Sequence, residues 1–223
     1  SKGFEGNHYM GLINFSFITV VYLAGVNITH GQDQEGFVLV KKDGTISIFE
    51  RWIQFPNSKP PIEAREVKGE FFFDNSMFAG LNLIQDEKKI QLWQKHVSEF
   101  KVYPQTDTTT WLEYSYHDIP WPVSDQDHLL QYNLREIIPG KSVFITFESR
   151  ENDALAPVRK GVTRMELCGS WKWEQISPGR TKVTYRILSK PIGIPKWLTD
   201  PIIRSNIMTT IEEYVALLAP PEG

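Results

Sequence analysis

DPIIRSNIMTTIEEYVALL, residues 200–218, is the stretch whose spacing decides the fold. At about 100° per residue, Ile203, Ile207, Thr210, Ile211, Tyr214, Leu217 and Leu218 fall within one arc, with Ser205, Thr209, Glu212 and Ala216 opposite. The pattern predicts one long amphipathic helix that buries a single stripe. Upstream of it the periodicity is that of strands, at 100–104, 111–117, 129–137, 143–149, 164–176 and 181–188. Turns at Pro139-Gly140 and Pro178-Gly179 separate two of the pairs. The connections are too short for βαβ crossovers, so the strands form an antiparallel meander. The helix must bury its stripe against that sheet, and a strongly curved sheet would leave a cavity between the two.

Further upstream, Phe37-Val38-Leu39-Val40 and Thr45-Ile46-Ser47-Ile48-Phe49 flank Lys41-Lys42-Asp43-Gly44. Asp-Gly between apolar runs predicts a hairpin, because glycine accepts the positive φ that the turn demands. A third strand at 64–73 follows a proline-rich loop. Asp74-Asn75-Ser76 can cap a short helix over 77–85, and a second short helix is expected near 87–96. The fold class is therefore α+β, with two short helices between strands 3 and 4. No repeat or composition break divides the chain.

The 223 residues are 41% hydrophobic and 23% charged, which excludes disorder, and a chain of this length needs no disulfide or metal to stabilise its core. The 24 basic and 27 acidic residues leave a net charge of −3, which argues against nucleic-acid binding and against a purely electrostatic hold on anionic lipid. Cys168 is the single cysteine, so neither an internal disulfide nor a two-cysteine zinc site can form.

From Gly6 to Gln32 there is no charged residue, and 12–26 is apolar apart from Asn, Ser and Thr. The length suits the core of a signal peptide better than a spanning helix. Residues 1–31 are expected to be an export signal, leaving 32–223 as a secreted or periplasmic domain. The alternatives are a folded N-terminal element, with a cytoplasmic protein, or a membrane anchor.

The catalytic motifs are missing: no Gly-x-Ser-x-Gly, phosphate loop, Gly-x-Gly-x-x-Gly or His-Glu-x-x-His occurs. His8, His30, His96, His117 and His128 lack metal-ligand spacing. Two adjacent pairs, His117 with Asp118 and Asp127 with His128, are the candidates for acid–base work. Trp111, Trp121, Trp171, Trp173 and Trp197 suggest a large aromatic interior.

Several segments, in order, resemble the bacterial type of START domain, the steroidogenic-acute-regulatory-protein-related lipid-transfer family of the helix-grip (SRPBCC) superfamily. They are the opening hairpin 37–51, Ala64-Arg65-Glu66-Val67-Lys68-Gly69-Glu70, and Tyr116-His117-Asp118-Ile119-Pro120-Trp121-Pro122-Val123-Ser124-Asp125-Gln126-Asp127. Gly169-Ser170-Trp171-Lys172-Trp173-Glu174, Thr181-Lys182-Val183-Thr184-Tyr185 and Gly193-Ile194-Pro195-Lys196-Trp197-Leu198 complete the match, which spans 36 to about 218. Gln126 departs from the pattern, since the family usually has arginine before this aspartate.

The resemblance implies a helix-grip fold, a curved antiparallel sheet wrapped around the long C-terminal helix and an apolar tunnel. It implies a monomer that binds one lipid or other hydrophobic small molecule for transport or sensing, with transient membrane contact, no nucleic acid, no cofactor, no metal and no catalytic centre. Strand alternation nominates two inward-facing sets, Leu130, Tyr132 and Leu134, and Val143, Ile145 and Phe147. Opposite them stand Ile203, Ile207, Thr210, Ile211 and Tyr214. Helix-grip relatives that act as cyclases, aromatases or hydrolases make an enzyme on a hydrophobic substrate the alternative. A cavity filled by the tryptophans, in an interaction protein, is the third reading.

Overall fold

The computed structural model describes residues 35–220, so the expected signal peptide at 1–31 lies outside the described residues. The element order is β1 (Val38–Asp43), β2 (Ile46–Gln54), β3 (Glu63–Phe73), α1 (Met77–Leu83), α2 (Ile90–Trp93), β4 (Val97–Pro104), β5 (Thr110–His117), β6 (Gln126–Ile138), β7 (Ser142–Ser149), β8 (Thr163–Arg164), β9 (Leu167–Ser177), β10 (Arg180–Ser189) and α3 (Lys196–Leu218). Strands are ordered β1-β2-β3-β10-β9-β7-β6-β5-β4, and β8 adds a short parallel pairing to β6. The first three strands therefore meet the last one, with Phe73 opposite Thr181 and Arg65 opposite Ser189. All of these neighbours along the main path are antiparallel. α3 lies against β2, β3 and α2, and the curved sheet grips it.

Local chemistry accounts for most of the elements. Asp43 pairs with Ile46 across the first turn, where Gly44 takes φ +50°, a left-handed value that side chains disfavour. The Ser76 hydroxyl caps α1 by accepting the Ala79 N–H at 3.2 Å. The second helix is shorter than the expected 87–96, and side chains explain why. The Asp86 carboxylate takes the Lys88 N–H at 3.0 Å and Glu87 reaches across to the Val102 N–H at 2.8 Å, which ties the run into a turn. That backbone bond holds the Glu87 carboxyl below its usual range.

Two other boundaries differ from expectation. α3 begins a turn earlier than residue 200, at Lys196, with Pro201 inside the helix rather than at its start. The expected strand over 164–176 is broken into β8 and β9. Arg164 forks onto Asp127 at 2.7 and 3.0 Å, which draws residues 163–165 onto the start of β6 before the chain crosses to β7.

The core lies between α3 and the concave face. Ile48, Phe71, Val143, Ile145, Trp173, Val183 and Tyr214 are all essentially inaccessible there. A smaller cluster of Tyr114, Leu129 and Ala156 packs on the other face of β5 and β6, under the loop 150–162. Among the described residues no helix is long and apolar enough to cross a membrane.

Candidate ligand-binding site

A pocket of about 180 Å³ lies between α3 and the sheet. Ile207, Thr210, Ile211 and Tyr214 line it from α3, Phe71 from β3, Trp171 from β9 and Tyr185 from β10. Trp93, Gln94 and Asn206 form the rest of its wall. Tyr214 fixes the inner end, donating to the Gly80 carbonyl at 2.8 Å and accepting from Trp173 Nε1 at 3.1 Å. Burial raises the Tyr214 phenol far above its ordinary range, so it stays a neutral donor. Gly80 is needed for this approach, because a Cβ there would come within 2.6 Å of Trp173 Nε1.

Aromatic rings fill the interior beyond the pocket. Trp171 and Tyr185 have ring centroids 4.3 Å apart, Tyr185 and Phe147 6.3 Å, Phe147 and Tyr132 5.3 Å, and Tyr132 stacks on Trp111 at 4.9 Å.

A polar cluster sits among these rings. On β5, Glu113, Ser115 and His117 share the inward face of Trp111, and on β6 His128 shares that of Leu130 and Tyr132. His128 Nε2 lies 3.3 Å from Glu113 Oε1, and Ser115 Oγ lies 3.1 Å from His117 Nε2. The two imidazoles are 5.2 Å apart. Burial, with His128 and His96 nearby, pushes His117 down to about 3, so its ring is neutral at any ordinary pH. Burial and then the Glu113 charge raise the phenols of Tyr132 and Tyr185, which connects the cluster to the pocket wall. Among the described residues, His128 Nδ1 and Trp111 Nε1 are buried with no hydrogen-bond partner.

No protein-family model matches the chain. It is 23% identical over 198 residues to an uncharacterized protein of Pseudomonas aeruginosa (PA1579), covering 87% of this chain and 93% of that one. Among solved structures it is similar to human StAR-related lipid transfer protein 5, with TM-score 0.70 at 12% identity over 83% of this chain and 88% of that one. A STAR-related lipid transfer protein from Xanthomonas axonopodis gives TM-score 0.66 at 23% identity, covering 82% and 98%. This is the START helix-grip fold.

Within the START fold the nominated residues separate into two groups. Ile207, Thr210, Ile211 and Tyr214 meet at the pocket. Ile203 is half-buried against the core further up α3. Leu130, Tyr132, Val143, Ile145 and Phe147 are buried in the core and Leu134 partly so, separated from the pocket by the rings of Trp171 and Tyr185. Phe71, Trp93, Gln94, Trp171, Tyr185 and Asn206 are pocket residues that the sequence reading did not nominate. Trp171 and Tyr185 lie in the segments that carry the START resemblance, so that signal was present. Two tryptophans expected inside are outside, Trp121 at 90% and Trp197 at 77% exposure. Trp121 stands between two prolines in a loop, and Trp197 stands in the first turn of α3 next to solvent.

The START fold also separates the candidate acid–base pairs. Asp127 and His128 are consecutive on β6 and project to opposite faces. Asp127 faces outward, held by Arg164 and by the Tyr114 hydroxyl at 3.1 Å. Its charge, after burial, pushes the Tyr114 phenol up to about 12. Arg164 thus supplies a partly buried arginine partner for this aspartate although Gln126 precedes it. Asp118 leaves β5 beside His117, its N–H bonded to the His96 carbonyl at 2.8 Å.

Proposed function

We propose that this chain binds one hydrophobic small molecule, a lipid in the broad sense, between α3 and the sheet, and carries or senses it without catalysing a reaction on it. The pocket lined by Phe71, Trp171, Tyr185, Ile207 and Ile211 carries the reading, in a fold shared with proteins named for lipid transfer. The inward polar cluster supports it, because buried polar atoms without partners are uncommon and costly. Trp93 Nε1, on the pocket wall, offers a polar ligand group the bond it lacks, and beyond the rings of Trp171 and Tyr185 the cluster's His128 Nδ1 and Trp111 Nε1 are likewise without partners.

The volume of about 180 Å³ is below the roughly 300–1,000 Å³ typical of small-molecule sites, so a whole lipid enters only when α3 shifts. The two halves of α3 differ in the required sense. Met208, Ile211, Tyr214 and Leu218 are buried in the downstream half. The upstream half is held by ion pairs to the sheet: Arg204 forks onto the buried Glu50 at 2.9 Å twice, and the buried Arg65 bonds Asp200. Ile203 and Ile207 there are only half-buried, so displacing that half exposes little new apolar surface.

Catalysis is disfavoured on the same geometry. Among the described residues the one hydroxyl paired with an imidazole is that of Ser115, with His117, and an imidazole titrating near 3 is too weak a base to activate it. The small pocket does favour one other reading, a filled aromatic core without a ligand. Native mass spectrometry of the full chain, before and after incubation with mixed lipids, separates the two. A discrete lipid-sized mass that is lost in a folded Ile207→Asp variant is expected. An unchanged apo mass would overturn the ligand reading in favour of the filled core.

A further inference from the structure

Two tryptophans meet Tyr214 at the inner end of the pocket, and their N–H groups are served differently. Trp173 Nε1 donates to the Tyr214 hydroxyl at 3.1 Å, and that hydroxyl donates to the Gly80 carbonyl at 2.8 Å. Trp93 is the last residue of α2, a single turn that leaves Leu92 exposed and carries Ile90 and Trp93 inward. Its ring stands edge-on to Tyr214, with centroids 5.1 Å apart. Trp93 lines the pocket and is 2% exposed, yet its Nε1 has no hydrogen-bond partner among the described residues. An indole N–H donates and cannot accept, so only an acceptor completes it. A buried donor left unpaired is costly and uncommon.

The pocket wall is also uncharged. Among the described residues that line it, none is Asp, Glu, Lys, Arg or His. Its opening carries neutral amides, those of the half-buried Gln94 and the exposed Asn206. Burial, and then the Glu113 charge, raises the Tyr185 phenol, so the charge felt at that wall is negative. A carboxylate or phosphate entering here would leave water without meeting a cation, which costs more than one indole N–H returns.

We infer that the pocket selects neutral lipids carrying a hydrogen-bond acceptor, an ester, amide or ketone carbonyl, with Trp93 Nε1 as the donor that reads it. This rests on the ligand reading and narrows it to a chemical class. A hydrocarbon of the same shape leaves Trp93 unpaired, and an anion is left without a counter-charge. The two wrong classes are thus rejected for separate reasons. The inner polar cluster lies beyond the rings of Trp171 and Tyr185, and Trp93 reads the ligand independently of it.

The test compares three probes of one chain length, methyl oleate, oleate and octadecene, as competitors of the fluorescent hydrophobe N-phenylnaphthylamine. The full chain is titrated at about pH 8, where the oleate carboxyl is ionised. Methyl oleate should bind roughly two- to tenfold more tightly than octadecene, which has no acceptor, and more tightly than oleate. Trp93→Phe keeps a ring and removes the N–H, so it should bring the ester-to-alkene ratio to about one. The space left by the smaller ring acts on both probes alike and cancels in that ratio. The ranking on the native protein needs no variant, so it decides the matter even if Trp93→Phe does not fold. Equal binding of ester and alkene, tighter binding of oleate, or a ratio that Trp93→Phe leaves unchanged would overturn the inference while the ligand reading stands. Displacement by none of the three would overturn both.

Discussion

β5 and β6 carry two buried polar clusters, one on each face, built from residues that alternate along the same strands. On the outer face Asp127 receives three hydrogen bonds, two from Arg164 and one from Tyr114, and Arg164 in turn donates to the Ala156 carbonyl at 3.0 Å. On the inner face Glu113, Ser115, His117 and His128 make two contacts, at 3.1 and 3.3 Å, and His128 Nδ1 is left over. The difference separates structure from function. The Asp127 carboxylate is met from several sides, as a buried charge that serves the fold needs to be, since a half-satisfied one costs more than an apolar core. An incomplete cluster aimed into the interior persists where something else completes it.

The largest expected effect tests the outer cluster. Arg164→Ala leaves the Asp127 carboxylate, which is 1% exposed, with Tyr114 as its remaining side-chain partner. It should cost about 3 kcal/mol in urea unfolding, toward the low end for breaking a buried pair because Arg164 is partly open to water. The substitution also frees the loop 150–162, so amide exchange at Leu155 and Ala156 should speed up. A loss below about 1 kcal/mol would mean that the outer cluster is no more structural than the inner one.

Acid tests the inner cluster next. His117 titrates at about 3 in the folded protein, whereas an unfolded histidine titrates near 6.5. Between these values the unfolded chain binds a proton that the folded one refuses, so its contribution to stability is complete above about 6.5 and is lost as the pH falls toward about 3. From pH 6.5 to 5 the native protein should lose up to about 2 kcal/mol that a His117→Asn variant does not lose. Parallel slopes for the two proteins would show that the ring is solvated rather than buried.

What the sequence made legible follows the range of the interactions involved. α3 and the hairpins are written in local periods and turn residues, and the 203–207–210–211–214 arc located four pocket residues without any long-range information. β8 was not legible, because Arg164 and Asp127 are 37 residues apart and nothing local marks them as partners. The pocket wall was only partly so. Alternation correctly places Leu130, Tyr132 and Phe147 inside, but whether an inward ring lines a space or fills it depends on how Trp171 and Tyr185 pack. Extending the same alternation back from Leu130 to His128, and along Trp111, Glu113, Ser115 and His117, would have exposed the inner polar cluster. Chain adjacency instead pairs His117 with Asp118 and His128 with Asp127, which hides the face that the two histidines share with Glu113 and Ser115.

Glu113→Gln is the smallest change and the sharpest for the comparison. It keeps the shape of the side chain and replaces the carboxylate with an amide, so His128 loses a carboxylate acceptor but retains a hydrogen-bonding partner. With the inner cluster already incomplete, unfolding stability should move by no more than about 1 kcal/mol. Occupancy should respond more strongly, because a hydrogen bond to a charged group is worth about 1.5–3 kcal/mol. A ligand anchored through this cluster should dissociate roughly tenfold more readily, read by native mass spectrometry after serial dilution. The opposite result, stability lost by about 3 kcal/mol with the bound mass retained, would make the inner face as structural as the outer one. The ligand would then be held at the pocket alone, by Trp93 and the rings of Phe71, Trp171 and Tyr185.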